Sequence, residues 1–179
     1  MLTRENVALV VIDFQDGLLP KIPGAEVVMA QAIKLIRFAR ELGLPILWSE
    51  QYPKGLGVTN ERVAKELEGL TPVEKVSFGC FGAPGFTELV AGLGKKQLLV
   101  TGIETHVCVM QTVLRARSLG YEVYVPNDAV GSRFENDYRV GLARMQRHGA
   151  EIVTTEMAMF EILRVAGTPE FKKVLPLIK

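Results

Sequence analysis

The chain has 179 residues, and 48% of them are hydrophobic, which suits one domain with a buried core over residues 1–179. Its 21 Lys and Arg residues nearly balance its 20 Asp and Glu residues, so the net charge is +1. This balance argues against a protein that binds nucleic acid or an anionic membrane. The first apolar run, 7–12, is too short for a signal sequence, and no run approaches the ~18 residues that span a bilayer. We therefore expect a soluble, cytoplasmic protein.

Short apolar runs alternate with amphipathic segments along the chain. Val7–Ile12 is entirely apolar and is followed by Asp13, which is typical of a buried parallel strand. Residues 25–42 carry apolar side chains at three- and four-residue steps and are followed by Gly43, which predicts a helix with one buried face. Strands are predicted at 7–13, 46–49, 73–76, 97–101, 122–126 and 151–154, and helices at 25–42, 60–67, 86–92, 105–119 and 137–148.

This alternation predicts an α/β fold, a three-layer, Rossmann-like sandwich in which a six-stranded parallel sheet has helices on both faces. In open sheets of this kind, ligands bind outside the carboxyl ends of the strands, near a reversal in the strand order. Residues that can do chemistry are therefore most informative where they follow a strand.

Three residues at predicted strand ends have complementary chemistry. Asp13 ends the first strand, Lys75 lies at the third, and Cys108 follows the fourth, in the first turn of a helix that Thr105 is predicted to cap. A helix N-terminus and a nearby lysine both favour a thiolate. A carboxylate can take the thiol proton and return it to a leaving group. Each residue alone also has an ordinary structural role, so the hypothesis of a catalytic site depends on their combination.

Four segments resemble the isochorismatase-like cysteine hydrolases, a family that includes the nicotinamidases. They are VIDFQ at 11–15, EKVSF at 74–78, TGIETHVCVMQT at 101–112 and NDAVGSR at 127–133. A fifth, WSEQYPKGLG at 48–57, is similar to the subgroup named isochorismatase domain-containing proteins. The resemblance implies the family's hydrolase fold and an Asp-Lys-Cys catalytic triad. In it, Asp13 is the general base and acid, Lys75 lowers the thiol pKa, and Cys108 is the nucleophile.

The resemblance also implies an oxyanion hole made of the backbone N–H groups of Glu104 and Cys108. In the family a non-proline cis peptide bond shapes this hole, and here it would join Ile103 to Glu104. Such a bond persists only where the fold enforces it. Glu104 is therefore expected to act through its backbone and not through its carboxylate.

A departure from the nicotinamidases concerns metal binding. Those enzymes carry an Asp-x-His metal motif just after the second strand, where this chain has Ser49-Glu50-Gln51-Tyr52. We therefore expect neither a metal nor another cofactor, and hydrolysis of a small amide or ester through a Cys108 thioester. Two alternatives remain open: a catalytically weak family member that acts as a binding protein, and an isochorismate-type vinyl-ether hydrolase.

Several side chains near the predicted strand ends are candidates for the walls of the substrate pocket, with core packing as the alternative for the aromatic ones. They are Phe14, Gln15, Trp48, Tyr52, Phe78 and His106. Cys80 is predicted to lie in a loop and can be near the same pocket.

The resemblance also bears on partners. Members of the family form homo-oligomers, and the apolar segment 174–178 is compatible with buried contacts between subunits. We expect a homo-oligomer with a small-molecule substrate, and no nucleic-acid or membrane partner.

Overall fold

The computed structural model describes residues 1–178, and within them seven parallel strands form one sheet. The strand order is β3-β2-β1-β4-β5-β7, and β6 pairs with the end of β4. The predicted parallel α/β fold is confirmed, but the count of six strands misses β6, whose two residues are too few to leave a periodic pattern. The strands are β1 Val7–Ile12, β2 Ile46–Gln51, β3 Val73–Lys75, β4 Gln97–Ile103, β5 Glu122–Pro126, β6 Val130–Gly131 and β7 Glu151–Val153.

Helices cover both faces of the sheet. The main ones are α1 Ala25–Leu42, α2 Pro53–Leu56, α3 Glu61–Glu66, α4 Phe86–Gly92, α5 Met110–Ser118, α6 Glu135–Arg147, α7 Thr155–Leu163 and α8 Pro169–Ile178. Short 3₁₀ turns lie at Leu19–Lys21, Cys80–Gly82 and Asn127–Ala129, and a π-helical turn lies at Thr105–Val109.

The sheet separates two apolar clusters, one on each face. Successive side chains of β1 point to opposite faces, so this strand contributes to both clusters. Val7, Leu9 and Val11 pack with α1, α3, α7 and α8, and we call this cluster the α1-side core. Ala8, Val10 and Ile12 pack with α4, α5 and α6, which is the α5-side core. All six side chains are buried, which explains why the strand reads as one apolar run.

The strand order reverses between β1 and β4. From this pair the chain builds β2 and β3 on one side and β5 and β7 on the other, so the crevice beyond the carboxyl ends of β1 and β4 is the expected ligand site. Gly102 pairs with Ile12 at this point, and a Cβ on Gly102 would lie 2.6 Å from the Ile12 Cβ. Glycine is therefore required for the two strands to approach where the site begins.

The apolar C-terminal segment is used within the chain. In α8, Val174 is fully buried, and Leu177 and Ile178 pack against the α1-side core. Much of the apolar surface of this segment is therefore used within the chain, and its predicted role in subunit contacts stays a prediction. No helix in residues 1–178 combines the length and apolarity that a membrane crossing requires.

Candidate active site

A buried ion pair lies at the carboxyl edge of the sheet. Lys75, the last residue of β3, places its Nζ 2.7 Å from Oδ2 of Asp13, and both side chains are completely shielded from solvent. The same ammonium donates to Oε1 of Gln51 at 2.7 Å and to the carbonyl oxygen of Phe78 at 2.9 Å. All three N–H donors of the lysine are thus used, so the structure holds it as a fixed cation.

The carboxylate of Asp13 is held at both oxygens. Its Oδ1 accepts a hydrogen bond of 2.8 Å from Ser49 Oγ, and its Oδ2 accepts the one from Lys75. Asp13 has a φ of 57°, a left-handed conformation that aspartate tolerates better than most residues. This turn directly after β1 directs the carboxylate along the sheet edge.

Cys108 lies beside this pair, within the π-helical turn and only 4% exposed. Burial raises the pKa of its thiol, and the charge of the Asp13 carboxylate raises it further. Lys75 opposes these effects without cancelling them. The raised pKa favours the thiol over the thiolate in the resting site, beside a carboxylate that is a candidate acceptor for its proton.

The turn that carries Cys108 differs in two ways from its prediction. The α-helix begins only at Met110, and within residues 1–178 the hydroxyl of Thr105 has no hydrogen-bond partner, so Thr105 is not a cap. The Ile103–Glu104 bond is not cis, because the described chain has no cis peptide bond. Glu104 instead turns the chain by its own left-handed conformation, with a φ of 59°.

The side chain of Glu104 belongs to a charged cluster on the outer side of the turn. Its Oε1 lies 2.6 Å from Nε of Arg133, and its Oε2 lies 3.2 Å from Nδ1 of His106. The imidazole also contacts Oγ of Ser132 at 3.0 Å and, through Nε2, Oδ2 of Asp137 at 3.6 Å. The structure therefore places His106 in this cluster, and within residues 1–178 its ring makes no hydrogen bond or ion pair with Asp13 or Lys75.

Comparison with known proteins shows the family of this chain. The family model described as the isochorismatase domain matches residues 7–157. The chain belongs to the isochorismatase family. It is 37% identical to isochorismatase family protein 1B of Dictyostelium discoideum, over 98% of this chain and 87% of that protein. It is 35% identical to isochorismatase domain-containing protein 2A of Mus musculus, over 98% of this chain and 84% of that protein.

A solved structure gives the same picture for the fold. MAR1 ribonuclease from Caenorhabditis elegans superposes with a TM-score of 0.93 at 32% identity, covering 99% of this chain and 91% of that one. The family resemblance read from the sequence motifs is thereby confirmed.

The remaining predicted pocket residues of this isochorismatase-family chain divide into two groups. Phe14 and Trp48 are buried in the α1-side core, which is the core-packing alternative. Tyr52 and Phe78 are about half exposed at the rim. Tyr52 also lines a cavity of about 300 Å³ that reaches Lys75. The other lining residues are Pro53, Lys54, Glu74, Val76, Gly82, Ala83 and Pro84.

Gln15 is buried and joins two loops. Its Oε1 accepts the Gln51 N–H at 2.7 Å, and its Nε2 donates to the carbonyl oxygens of Gln51 at 3.0 Å and Gly57 at 2.6 Å. Gln15 thus fixes the segment that ends β2 against the one that follows β1. Its amide is occupied by the protein itself and is not directed at a ligand.

Two residues of this network, Ser49 and Gln51, were not predicted. Ser49 bonds to Asp13, while Gln51 bonds to Lys75 and has its Oε1 4.0 Å from the Cys108 sulfur. Both lie on β2, two residues apart, so they share the face of the sheet on which the ion pair is built. That spacing, next to a strand already predicted, is the signal that identifies them.

The residues at the position of the nicotinamidase metal motif are committed to other contacts. Oε1 of Glu50 accepts both the Thr59 N–H at 2.7 Å and the Thr59 hydroxyl at 2.8 Å. The Gln51 amide is occupied by Lys75 and by the carbonyl oxygen of Val76. In the part of the chain that the structure describes, no three His, Cys, Asp or Glu side chains are grouped to hold a metal ion. These donors do not fit the family's metal, and a metal-free reaction stays a prediction.

Proposed function

We propose that this isochorismatase-family protein is a metal-independent cysteine hydrolase that cleaves a small amide or ester through a thioester on Cys108. The observation that carries the proposal is the fully buried Asp13–Lys75 ion pair, whose partner Gln51 has its Oε1 4.0 Å from the Cys108 sulfur and whose Asp13 charge acts on the Cys108 thiol. A nucleophile, a base within hydrogen-bond reach and a group that orients the base are the parts of covalent catalysis.

Charge balance explains why a neutral thiol suits this site. Asp13 and Lys75 together carry no net charge, whereas a resting Cys108 thiolate would add a second buried anion next to the Asp13 carboxylate. If the thiol proton moves to Asp13 as the sulfur attacks, the charge on Asp13 is replaced by charge on the substrate. Lys75 then remains beside the reacting atoms as the compensating cation.

The proposed reaction has two stages. The Cys108 sulfur forms a bond to the carbonyl carbon, the C=O π electrons move to oxygen, and Asp13 receives the thiol proton. Backbone N–H groups of Glu104 and Cys108 are the proposed donors to that oxygen. When the tetrahedral species collapses, the leaving amine or alcohol takes the proton from Asp13 and a thioester remains. Water, deprotonated by Asp13, then releases the acid and restores the thiol.

The cavity that Lys75 helps to line has neither Asp13 nor Cys108 among its lining residues, so it can hold only a part of a substrate that lies away from the reacting atoms. Its volume of about 300 Å³ lies at the lower end of the usual range for small-molecule sites. Tyr52, Pro53, Val76 and Pro84 supply much of its apolar lining. We propose that it receives the part of the substrate that does not react.

We also propose that the protein acts as a homo-oligomer. Tyr52, Val76 and Phe78, which lie next to Lys75, expose large apolar side chains. Exposed apolar groups that lie together commonly mark contact surfaces. Light scattering at micromolar concentration tests this, and a monomer contradicts it.

The hydrolase proposal is tested with a panel of small amides and esters, assayed with a chelator present. Intact-protein mass spectrometry after rapid quenching should show an acyl adduct that peptide mapping assigns to Cys108. Cys108→Ala should show neither adduct nor turnover, while Cys80→Ala serves as the control for loss of a buried thiol.

Other outcomes of the same panel distinguish the alternatives. Turnover that survives in Cys108→Ala overturns the thioester mechanism, and turnover of a vinyl ether without an adduct favours the vinyl-ether hydrolase. Saturable binding without turnover favours the binding protein. A short RNA belongs in the panel, because one similar structure is that of a ribonuclease. Its cleavage by the Cys108→Ala variant would also contradict the proposal.

A further inference from the structure

The turn from Glu104 to Cys108 is anchored from outside the site by a buried carboxylate. We propose that Glu104 is a positioning residue: its carboxylate, clamped by Arg133 and His106, holds this turn in the shape that directs its backbone N–H groups at a substrate oxyanion. This inference rests on the proposed function, and it replaces the expectation that only the backbone of Glu104 matters.

The first support is the burial of the carboxylate. Glu104 is 5% exposed, and neither of its oxygens has a hydrogen-bond partner at a favourable angle among residues 1–178. Its compensation comes from the charge of Arg133 at 2.6 Å and from a polar contact with Nδ1 of His106 at 3.2 Å. A buried carboxylate is costly unless it is paired, so its direction is fixed by these two partners.

The second support is the backbone of Glu104. Its left-handed conformation disfavours any residue with a Cβ, and glycine or asparagine is the usual choice. A residue held in such a conformation needs surrounding contacts that enforce it. The carboxylate contacts supply these, while the Glu104 carbonyl accepts the N–H groups of Val107 at 2.9 Å and Val109 at 3.4 Å.

The third support concerns Arg133 and His106, which we call the clamp. Both residues are attached to well-packed elements of the fold. Arg133 follows β6, and β6 pairs with the end of β4 through Ile103 and Gly131. On the other side α6 packs against the turn, where a Cβ on Gly141 would lie 3.1 Å from the Cα of His106. The anchor points of the carboxylate are therefore fixed relative to the strand that leads into the turn.

Two reagents, butanal and iodoacetamide, test two different properties of the site. Butanal reports whether the backbone N–H groups can stabilise an oxyanion, and iodoacetamide reports only whether the thiol is accessible. Butanal reacts with the Cys108 thiol by forming an S–C bond, while the C=O π electrons move to oxygen and the proton passes to Asp13. Iodoacetamide is attacked at a saturated carbon, iodide leaves, and no oxyanion forms. The affinity for butanal, measured as protection of Cys108 from alkylation and mapped by mass spectrometry, should depend on the clamp, whereas the alkylation rate should not.

We expect Glu104→Ala and Arg133→Met each to weaken butanal protection by about tenfold or more, with the alkylation rate changed less than about twofold. Arg133→Lys, which keeps the charge, should lie within about threefold of the native protein. The double variant Glu104→Ala/Arg133→Met should be little worse than either single variant, because both remove the same contact. Arg62→Met is the matched control, since it breaks an exposed pair with Glu26 of the same 2.6 Å length.

Native butanal protection in Glu104→Ala and Arg133→Met overturns the inference, as does an equal loss in both probes. If Glu104→Ala does not fold, Glu104→Gln and Arg133→Met decide the matter in its place. Clamp-dependent protection without hydrolysis of any panel member leaves the clamp standing and refutes the hydrolase. Full hydrolysis by Arg133→Met refutes the positioning role of the clamp but leaves the hydrolase proposal intact. If butanal does not protect Cys108 in the native protein, the positioning role is refuted too.

Discussion

Cys80 and Cys108 are both buried thiols near Asp13, but they contact different side chains. The Cys108 sulfur lies 4.0 Å from Oε1 of Gln51, which also binds Lys75, whereas Cys80 donates at 3.5 Å to the hydroxyl of Ser49. That hydroxyl is itself a donor to Asp13. Cys80 can therefore pass no proton directly to the carboxylate.

Burial is the main reason that the pKa of each thiol is raised, so burial does not distinguish the two. Their backbones do. Cys80 begins a 3₁₀ turn after Gly79, while Cys108 lies four residues after the left-handed turn at Glu104. The structural thiol and the candidate nucleophile thus differ in the side chain that each contacts and in the turn that carries each.

The largest effect should come from removing each thiol in turn. We expect Cys108→Ala to lower kcat by at least about 10⁴-fold, because the bond-forming atom is lost. Cys80→Ala should stay within about fivefold, since Cys80 contacts the site only through Ser49. Turnover of the substrate found in the panel measures both, and near-equal losses would show that the two thiols act together.

The next effect concerns the base. Asp13→Asn should lower kcat by roughly 10²–10⁴-fold, because an amide cannot accept the thiol proton. It also leaves Lys75 without its buried counter-ion, so we expect the free energy of unfolding to fall by about 3–5 kcal/mol in urea titrations. The exposed Arg62–Glu26 pair is the control, where Arg62→Met should cost less than about 1 kcal/mol. Equal costs for the two pairs would contradict the buried, coupled site.

A smaller effect, about tenfold for each pH unit, should appear in the pH dependence of Cys108 alkylation. Because the pKa of this thiol is raised, its thiolate fraction is small at neutral pH and should increase steadily from pH 6 to 9. A plateau near neutral pH would show an activated thiolate and refute the neutral resting state. Asp13→Asn should react faster than the native protein at pH 7.5, since the carboxylate charge that opposes the thiolate is gone.

Much of the architecture could be predicted from local patterns. Val7–Ile12 is buried on both faces, so a parallel strand is readable from its unbroken apolar run. Asp13, Lys75 and Cys108 each follow or end a strand, and the sheet then brings Asp13 and Lys75 to 2.7 Å. Ser49 and Gln51 could have been predicted in the same way, because side chains two residues apart on β2 point to the same face of the sheet.

The electrostatics of the site could not be predicted in this way. The neutral state of Cys108 depends on its burial and on the orientation of Asp13, which are properties of the packed structure. The position of His106 likewise depends on Ser132 and Asp137, which lie more than 25 residues further along the chain and reach it through β6 and α6. Sequence distance of this kind leaves no periodic signal.

The smallest effect tests the link between the two thiol segments. Thr112 is buried on α5, and its hydroxyl accepts the N–H of Cys80 at 2.9 Å while donating to the carbonyl oxygen of Cys108 at 2.7 Å. Thr112→Val keeps the shape but leaves that N–H buried and unpaired, which costs about 1–3 kcal/mol. We expect a lower urea midpoint with an unchanged m-value, and activity within about fivefold of native.

Thr105 provides the matched control, because it is equally buried and its hydroxyl has no hydrogen-bond partner within residues 1–178. Thr105→Val removes no hydrogen bond and relieves a buried polar atom, so its stability should equal or exceed that of the native protein. Equal destabilisation by the two substitutions would mean that shape, and not the hydrogen-bonded bridge, sets the cost. A clear difference would show that the Thr112 hydroxyl stabilises the fold by joining the Cys80 segment to the Cys108 segment. The two cysteines would then differ in chemistry although the same side chain holds both segments.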